Sequence, residues 1–363
     1  MLKQQKIFFD FLRFCIGSAK EIPDSLKEAD WEEIYAIAKK QALLCVLFHG
    51  IQRLPKESAP EQKLLMQWMA MAEMIRKQNI RLFQDSVKVC QNFENEGFPN
   101  CILKGQGNAL LYPDPYMRTP GDIDIYLSGG RKKIMKYVDQ VCPNQVMRYH
   151  HVDFPVMKTA IEVHFTPSYM FCPIHNRRMQ KWFKEVMGEQ CKHRASLPDG
   201  YGVIHVPMVS FNVIYILSHL YRHIFTEGIG LRQLLDYYYV LISDDLLLIR
   251  DRVQKKLKHL GLWKFTQAVM FVMKEVFGLS DDRMIAPMDE KEGRFLLDEI
   301  MRGGNFGQYD DRMGSKVGES KIHRYFRMNL RNLRFVKHYP AEALSEPLFR
   351  TWFAVWKKMI NHC

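Results

Sequence analysis

The stretch ILKGQGNALLYPDPYMRTPGDIDIYL, residues 102–127, decides the fold of this chain. It begins as a short apolar strand, turns at a glycine into a helical segment at 107–112, and ends in an alternating strand at 122–127. In that last strand Asp122 and Asp124 alternate with isoleucines, and residues two apart in a strand share a face at a spacing of about 6.5 Å. Two carboxylates on one face are typical oxygen ligands for a hard divalent cation such as Mg²⁺.

A third acid occurs in similar surroundings. Glu162 lies in the predicted strand 160–165, AIEVHF, which is expected to pair beside the first. Three carboxylates on neighbouring strands form the protein part of a two-metal phosphoryl-transfer site, so Asp122, Asp124 and Glu162 are predicted to hold Mg²⁺, with Mn²⁺ as the alternative. His164 shares the face of Glu162 and either assists proton transfer or hydrogen-bonds the acid.

A phosphate site is predicted where the first strand joins the helical segment. Gly105 permits close backbone approach, and the helix that follows presents unpaired N–H groups. Lys104 and Arg118 add positive charge for a polyphosphate, which an arginine binds through two N–H groups. A structural ion pair between Arg118 and Asp122 is the alternative explanation for that arginine.

The rest of the chain surrounds this segment with helices. The patterning predicts an α+β protein in three regions: N-terminal helices at 1–97, a small sheet with flanking helices at 98–200, and a larger all-helical domain at 201–363.

Specific elements are also predicted inside these regions. Asp30 begins a helix whose apolar face continues to Leu47 and which ends at Pro55. A strand is expected at 145–150, and the Gly- and Asp-rich stretch 302–318 is expected to be a mobile loop. Helices are predicted near 61–96, 131–141, 208–225, 230–242, 244–259, 262–277, 288–302, 321–336 and 346–361.

Composition excludes a mainly disordered chain, since 47% of residues are apolar and 25% charged. With 52 basic and 40 acidic residues the net charge is +12, which favours a polyanionic partner or, equally, a solvated basic surface. The longest uncharged run, 201–221, is broken by a proline, and no signal-like apolar stretch is present, so we expect a cytoplasmic protein with no membrane partner.

Eight scattered cysteines without a CxxC pair indicate reduced thiols and no disulfide-linked partner. Cys172, His175, Cys191 and His193 offer four metal-type ligands, but their spacing matches no standard zinc ribbon.

Taken together, the motif set LKG, YPDPYMR, GDIDIYL and IEVHF resembles the DNA polymerase beta-like nucleotidyltransferase superfamily. More narrowly, it looks like the bacterial uncharacterised nucleotidyltransferase family of type 5. The segments SHLYRH (218–223) and GLRQLLDYYYVL (230–241) are similar to the helical half of that family. The resemblance covers roughly residues 30–275.

The resemblance implies that Asp122 and Asp124 hold two Mg²⁺ ions and that Glu162 completes the second site or orients the attacking hydroxyl. It implies that Gly105 and the neighbouring Gln106 contact the β- and γ-phosphates of a nucleoside triphosphate. The chain departs from the superfamily at Gln106, where Gly or Ser is usual, and in the long gap between the glycine and the first aspartate. The implied reaction transfers NMP from an NTP to an acceptor and releases pyrophosphate.

The helical half adds candidates for the acceptor cleft. His219 and His223 lie four apart on one helix face and, without a third ligand nearby, are predicted to line the cleft as polar groups. Arg232 and Asp236, also four apart, most simply form a surface ion pair, while the family likeness implies that they face the acceptor.

Three other functions stay open from the sequence. Gln106 argues for a catalytically silent nucleotide-binding protein, and the net charge argues for an RNA-binding module. The third is the toxin–antitoxin role seen among small nucleotidyltransferases, in which the acceptor is tRNA or a partner protein. The acceptor, whether small molecule, RNA or protein, and the preferred base are not determined.

Overall fold

The computed structural model describes residues 3–312 and 320–360 as helices around a small sheet. Four helices precede the sheet, and the fourth has 34 residues. They are α1 (Lys3–Ile16), α2 (Trp31–Lys40), α3 (Leu44–Ile51) and α4 (Gln62–Asn95). Asp30 caps α2 as predicted, because its carboxylate accepts the backbone N–H groups of Glu32 and Glu33.

A four-stranded mixed sheet follows. Its elements in chain order are β1 (Asn100–Ile102), the short helix α5 (Gln106–Ala109), β2 (Ile123–Leu127), α6 (Arg131–Val141), β3 (His151–Asp153) and β4 (Ile161–His164). The strand order is β1-β2-β4-β3, in which β2 and β4 are parallel and both edge strands are antiparallel to their neighbours. In this register Asp124 of β2 lies opposite Glu162 of β4.

Helices dominate the chain after the sheet, interrupted early by a two-stranded antiparallel ribbon. The elements are α7 (Pro173–Gln190), β5 (Arg194–Ser196), β6 (Val203–His205), α8 (Val209–Phe225), α9 (Leu231–Leu241), α10 (Asp245–His259), α11 (Trp263–Phe277), α12 (Glu290–Gly303), α13 (Lys321–Val336) and α14 (Pro340–Ile360). Across residues 3–312 and 320–360, none of the helices combines the length and the apolar character that crossing a bilayer requires.

Two hydrophobic cores hold these elements in place. One lies between the sheet, α4 and α6 and contains Phe93, Ile125 and Val163. The other joins the N-terminal and C-terminal helices, and α1 packs against α11 within it. Because alternate residues of β2 face opposite ways, burial of Ile123 and Ile125 in the first core leaves the other face of the strand to Asp124.

The predicted α+β architecture, a small sheet between helical regions, is confirmed. The helices predicted after residue 207 are all present near their predicted bounds, except that the last begins at Pro340 rather than at 346. The division into regions at 97 and 200 stays a prediction. The seven cysteines of the described part are all free, and Cys363 lies outside it.

The strand predicted at 145–150 is wrong. The chain turns back there, so that Met147 pairs with Val152 in an isolated bridge and the regular strand begins only at His151. The aromatic and branched residues fit a strand by composition, but pairing to β4 selects the three residues that follow the turn.

The continuous helix predicted from Asp30 to Pro55 is also wrong. Ala42 has a positive φ of 56°, and the backbone N–H of Leu43 bonds the carbonyl of Ala38, which closes α2 before α3 begins. Helix α7 was not predicted at all, since its segment was interpreted as short and broken. Of the loop predicted at 302–318, Asn305–Gly307 forms a short 3₁₀ turn, and 313–319 lie outside the described residues.

Candidate active site

The parallel pairing of β2 and β4 brings two of the predicted acids together. Asp124 and Glu162 are direct partners in the register, so their side chains leave the sheet on one face. Asp122 directly precedes β2 and is half-buried beside them. The three carboxylates that the sequence predicted to converge line one cavity of about 510 Å³.

Asp124 is the most deeply buried of the three, with 2% of its surface exposed. Its Oδ1 lies 2.9 Å from Nζ of Lys104 and 3.0 Å from Nε2 of His164. Burial alone raises the pKa of Asp124, but the Lys104 ammonium and the His164 imidazole outweigh it and hold this pKa well below its usual range. Asp124 therefore stays ionised.

Asp122 shows the opposite behaviour. The negative charge of Asp124, together with burial, raises the pKa of Asp122 to about 6, although Lys104 partly offsets the effect. The acid cluster is thus self-repelling, and its oxygen donors fit a divalent cation, which relieves the repulsion. Asp122, Asp124 and Glu162 are the carboxylates that would hold it.

Glu162 connects the acids to a group of histidines. Its Oε2 lies 3.5 Å from Nε2 of His164 and 3.3 Å from Nδ1 of His151. Burial lowers the pKa of His164, but hydrogen bonds to Asp124 and Glu162 raise it more, so the net shift is upward. His164 therefore bridges the two acids, which is the hydrogen-bonding role that the sequence left open.

The sequence analysis missed His150 and His151 as site residues. It assigned His150 to the end of the strand predicted at 145–150, which does not form, and it assigned His151 to no element. Both are buried beside His164, and burial, their largest influence, lowers the pKa of each. The dipeptide His150-His151 at the start of the edge strand β3 is the sequence signal that was available. Only the pairing of β3 with β4 places these histidines beside Glu162 and His164.

The phosphate site predicted at Lys104 and Gly105 stays a prediction, but the geometry of its turn is defined. Gly105 has φ 56° and ψ −115°, a conformation that favours glycine, and a Cβ there would approach the carbonyl oxygen of Asp122 at 3.3 Å. Lys104 lines the cavity.

The Gln106 side chain points away from the acids, since its Nε2 donates to Oδ1 of Asn79 on α4 at 3.1 Å. It anchors the turn to that helix.

Arg118 does not pair with Asp122, the alternative considered for it. Its Nε and Nη2 donate to the two carboxylate oxygens of Asp236, both at 2.8 Å, and the Tyr112 hydroxyl donates to the same carboxylate at 2.8 Å. The prediction of a surface ion pair between Arg232 and Asp236 is wrong, because both residues are buried and Asp236 pairs with Arg118. Arg232 instead donates to the carbonyl of Thr119 at 3.0 Å.

A small side cavity of about 40 Å³ nevertheless places these groups next to the acids. Its walls include Arg118, Arg232 and Asp236 together with Lys104 and Asp122. The buried ion pair between Arg118 and Asp236 therefore forms part of the wall beside the acids, although its two side chains are bound to each other.

His219 and His223 of α8 line the main cavity, where the sequence placed them as polar groups. Nε2 of His219 lies 3.3 Å from Nζ of Lys104, and Nδ1 of His223 lies 3.2 Å from Oε2 of Glu227. Arg222 between them contacts His223 at 3.0 Å. Burial is the main influence that lowers the pKa of both histidines, so they are neutral partners rather than additional cations.

The C-terminal part of the chain contributes to the cavity wall, which no sequence pattern predicted. Phe353 and Lys357 of α14 both line the cavity. Arg148 and Arg222 join Lys104 and Lys357 as cations around it. Such a concentration of positive charge beside ionised acids suits a bound polyanion carrying its own cation.

Cys172 and His175 also have a partner that the sequence did not suggest. Together with Glu342 of α14 they form a group whose donor atoms lie within 4.8 Å of one another. Glu342 accepts the backbone N–H of Cys172 at 3.2 Å. His193 is held elsewhere, its Nδ1 lying 2.9 Å from the carbonyl oxygen of Val206, so the four ligands considered from the sequence do not converge.

A small mixed sheet with flanking helices, carrying paired carboxylates at a cation-rich cavity, is consistent with the nucleotidyltransferase fold. The model of the uncharacterised nucleotidyltransferase family matches residues 27–278. The chain therefore belongs to the uncharacterised nucleotidyltransferase family, as the resemblance implied. Residues 279–363, which include α13 and α14, lie beyond the match.

Among solved structures, the chain is similar to an antigenic nucleotidyltransferase-like protein from Paracoccidioides brasiliensis. The similarity covers 59% of this chain and 96% of that one, with 12% identity and a TM-score of 0.34. No curated protein matches the chain significantly.

Proposed function

We propose that this protein is a metal-dependent nucleotidyltransferase, which transfers NMP from a nucleoside triphosphate to an acceptor and releases pyrophosphate. One observation supports this most strongly. Asp124 and Glu162 are register partners on adjacent parallel strands, and both open with Asp122 into a cavity that also holds Lys104. Convergent carboxylates beside a positively charged side chain are the minimum that this reaction requires.

Each group has a role in this proposal. Asp122, Asp124 and Glu162 would hold the divalent metal, Mg²⁺ or Mn²⁺, which would supply charge neutralisation at the attacking and leaving oxygens. Lys104 lies in the same cavity wall beside Asp124 and supplies positive charge for the polyphosphate. Arg148 adds charge along the cavity wall.

The chemistry is an in-line displacement at the α-phosphorus. An acceptor hydroxyl forms the new P–O bond, the bond between the α-phosphorus and the bridging oxygen to the β-phosphorus breaks, and pyrophosphate leaves with that electron pair. The proton of the hydroxyl passes to the carboxylate cluster.

The test is incubation with each α-labelled NTP, Mg²⁺ or Mn²⁺, and cell extract, followed by detection of the labelled product and of pyrophosphate. Asp124→Asn is expected to abolish transfer, while Asp139→Asn on the exposed side of α6 serves as the matched control. Transfer that survives Asp124→Asn would refute the proposal.

The same experiment separates the other functions. Binding of Mg-NTP without pyrophosphate release identifies a silent nucleotide-binding protein. RNA binding with steep salt dependence, unaffected by Asp122→Ala and Asp124→Ala, identifies an RNA-binding module. Toxicity on expression that Asp124→Ala removes identifies a toxin-type nucleotidyltransferase.

A further inference from the structure

We propose that Arg222 of α8 binds the terminal phosphate of the nucleotide, so that the cavity selects nucleoside triphosphates over diphosphates. The inference rests on the proposed function, because the carboxylates and their metal are taken to hold the α-phosphate. It assigns a ligand group to a cation that the proposed reaction does not otherwise use. Arg222 lines the cavity of about 510 Å³ together with the three carboxylates.

Arg222 is a partly buried cation that contacts imidazoles instead of carboxylates. Its Nη1 donates to Nε2 of His150 at 3.0 Å, and its Nη2 donates to Nε2 of His223 at 3.0 Å. The guanidinium also lies over the Tyr169 ring, 4.9 Å from the ring centroid. Because both histidines are neutral acceptors here, these contacts fix the position of the guanidinium without neutralising its charge.

Within residues 3–312 and 320–360, Arg222 forms no ion pair with an acid. The pKa of Glu227 is lowered mainly by its contact with His223, at 3.2 Å, and less by the more distant charge of Arg222. Nε of Arg222 is buried without a hydrogen-bond partner. Charges withdrawn from water are normally paired, as Arg118 is with Asp236, so Arg222 lacks an anionic partner that a ligand can supply.

The ring of His219 separates Arg222 from Lys104. Nδ1 of His219 lies 3.4 Å from Nη2 of Arg222, and its Nε2 lies 3.3 Å from Nζ of Lys104. A guanidinium and an ammonium only donate hydrogen bonds, whereas a neutral imidazole offers a single lone pair. His219 can therefore accept from one of the two cations, and the other needs a different acceptor. Lys104 has one in Asp124 at 2.9 Å, so the missing acceptor is the one for Arg222.

These groups follow one another along the cavity wall. Asp124 contacts Lys104, Lys104 contacts His219, and His219 contacts Arg222. The linked phosphates of one triphosphate can follow the same path, with the α-phosphate at the acids, the β-phosphate at Lys104 and the γ-phosphate at Arg222. An arginine binds a terminal phosphate through two N–H groups. A diphosphate ends before Arg222 and gains nothing from it.

The experiment compares the binding of triphosphates and diphosphates. Full-length protein in Mg²⁺, without acceptor, is titrated by calorimetry with the nucleoside tri- and diphosphate of each of the four bases. We expect the wild type to bind its best triphosphate at least about tenfold more tightly than the corresponding diphosphate. Arg222→Gln is expected to weaken triphosphate binding about tenfold to a hundredfold and to change diphosphate binding by less than about threefold.

Retained diphosphate binding by Arg222→Gln shows that the cavity is still formed. Arg222→Lys keeps the charge but loses the planar fork, so it should recover only part of the triphosphate preference. Arg252→Gln, on an exposed position of α10, is the matched control and should change neither affinity. A wild type without the preference, equal weakening of both ligands, or a preference that survives Arg222→Gln overturns the proposal. If Arg222→Gln does not fold, an undiminished preference in Arg222→Lys overturns it.

The outcome is separable from that of the proposed function. A triphosphate preference that Arg222→Gln removes, in a protein without nucleotidyl transfer, supports the terminal-phosphate site and refutes the reaction. Transfer whose KM for the NTP is unchanged in Arg222→Gln supports the reaction and refutes the terminal-phosphate site. A rise in the KM for the acceptor alone assigns Arg222 to an anionic acceptor and overturns the proposal.

Discussion

Replacing Asp122 by asparagine is expected to stabilise the metal-free protein at pH 8. The negative charge of Asp124 and burial raise the pKa of Asp122 from its ordinary value of 3.8 to about 6 in the folded state. The folded state therefore holds this proton over a pH range in which the unfolded chain has lost it. The stability that the proton provides is complete below the unfolded pKa and is lost as pH rises through 6.

The magnitude follows from that shift. Two pKa units at 1.36 kcal/mol each give a destabilisation of about 3 kcal/mol above pH 7 in the absence of metal. Asparagine has nearly the same shape and no charge, so Asp122→Asn should recover most of this free energy at pH 8 and almost none at pH 4. The corresponding rise in Tm at pH 8 is roughly 5 °C for a domain of this size.

The assay is urea and thermal unfolding of both proteins in EDTA at pH 4 and pH 8. Taking the difference between variant and wild type at each pH cancels the titration of other groups. Saturating Mn²⁺ should abolish the gain, because the ion neutralises the same repulsion. Asp139→Asn on the exposed side of α6 is the matched control and should have no effect. A gain that is equal at pH 4 and pH 8, or absent at both, would refute the reasoning.

Three other perturbations test the site. Arg118→Ala should lower the free energy of unfolding by about 3–5 kcal/mol, because it leaves the Asp236 carboxylate buried and unpaired. The double change Arg118→Met with Asp236→Leu should lower it clearly less, and equal losses in urea unfolding would contradict this reasoning. Gly105→Ala should cost about 1–3 kcal/mol through its positive φ and its approach to the Asp122 carbonyl, and an unchanged unfolding midpoint would show that the turn relaxes. Lys357→Ala should weaken Mg-NTP binding about tenfold in calorimetry, because Lys357 lines the cavity. Lys255→Ala, on the exposed side of α10, should leave binding unchanged, and equal effects of the two changes would place the nucleotide elsewhere.

The convergence of the acids was the most predictable part of the site. Alternation around Asp124 and Glu162 assigned each to one face of a strand, since a period of two is local to the chain. Glycine at 105 was predictable for the same reason, because a turn between strand and helix imposes its conformation on a few neighbouring residues. Most helices were predicted from apolar residues that recur at helical spacing. Helix α7 was not predicted, because polar and basic residues dominate its segment.

The partners of Arg118 and Glu162 were not predictable. Arg118 pairs with a carboxylate 118 residues away, and no local pattern indicates which of many acids it will meet. His151 reaches Glu162 only because β3 pairs antiparallel with β4 at that register. A shift by one residue would have turned the histidine to the other face.

The amino-acid sequence by itself determined the α+β class and the strand faces of Asp124 and Glu162, because periodicity is a local property of the chain. The resemblance of its motifs indicated the family. Tertiary structure alone decided that Lys104 and His164 meet Asp124, that Asp236 is paired with Arg118, and that residues of α14 line the cavity. These are contacts between segments far apart in the chain, and only packing of the two cores and the pairing of β2 with β4 bring them within reach.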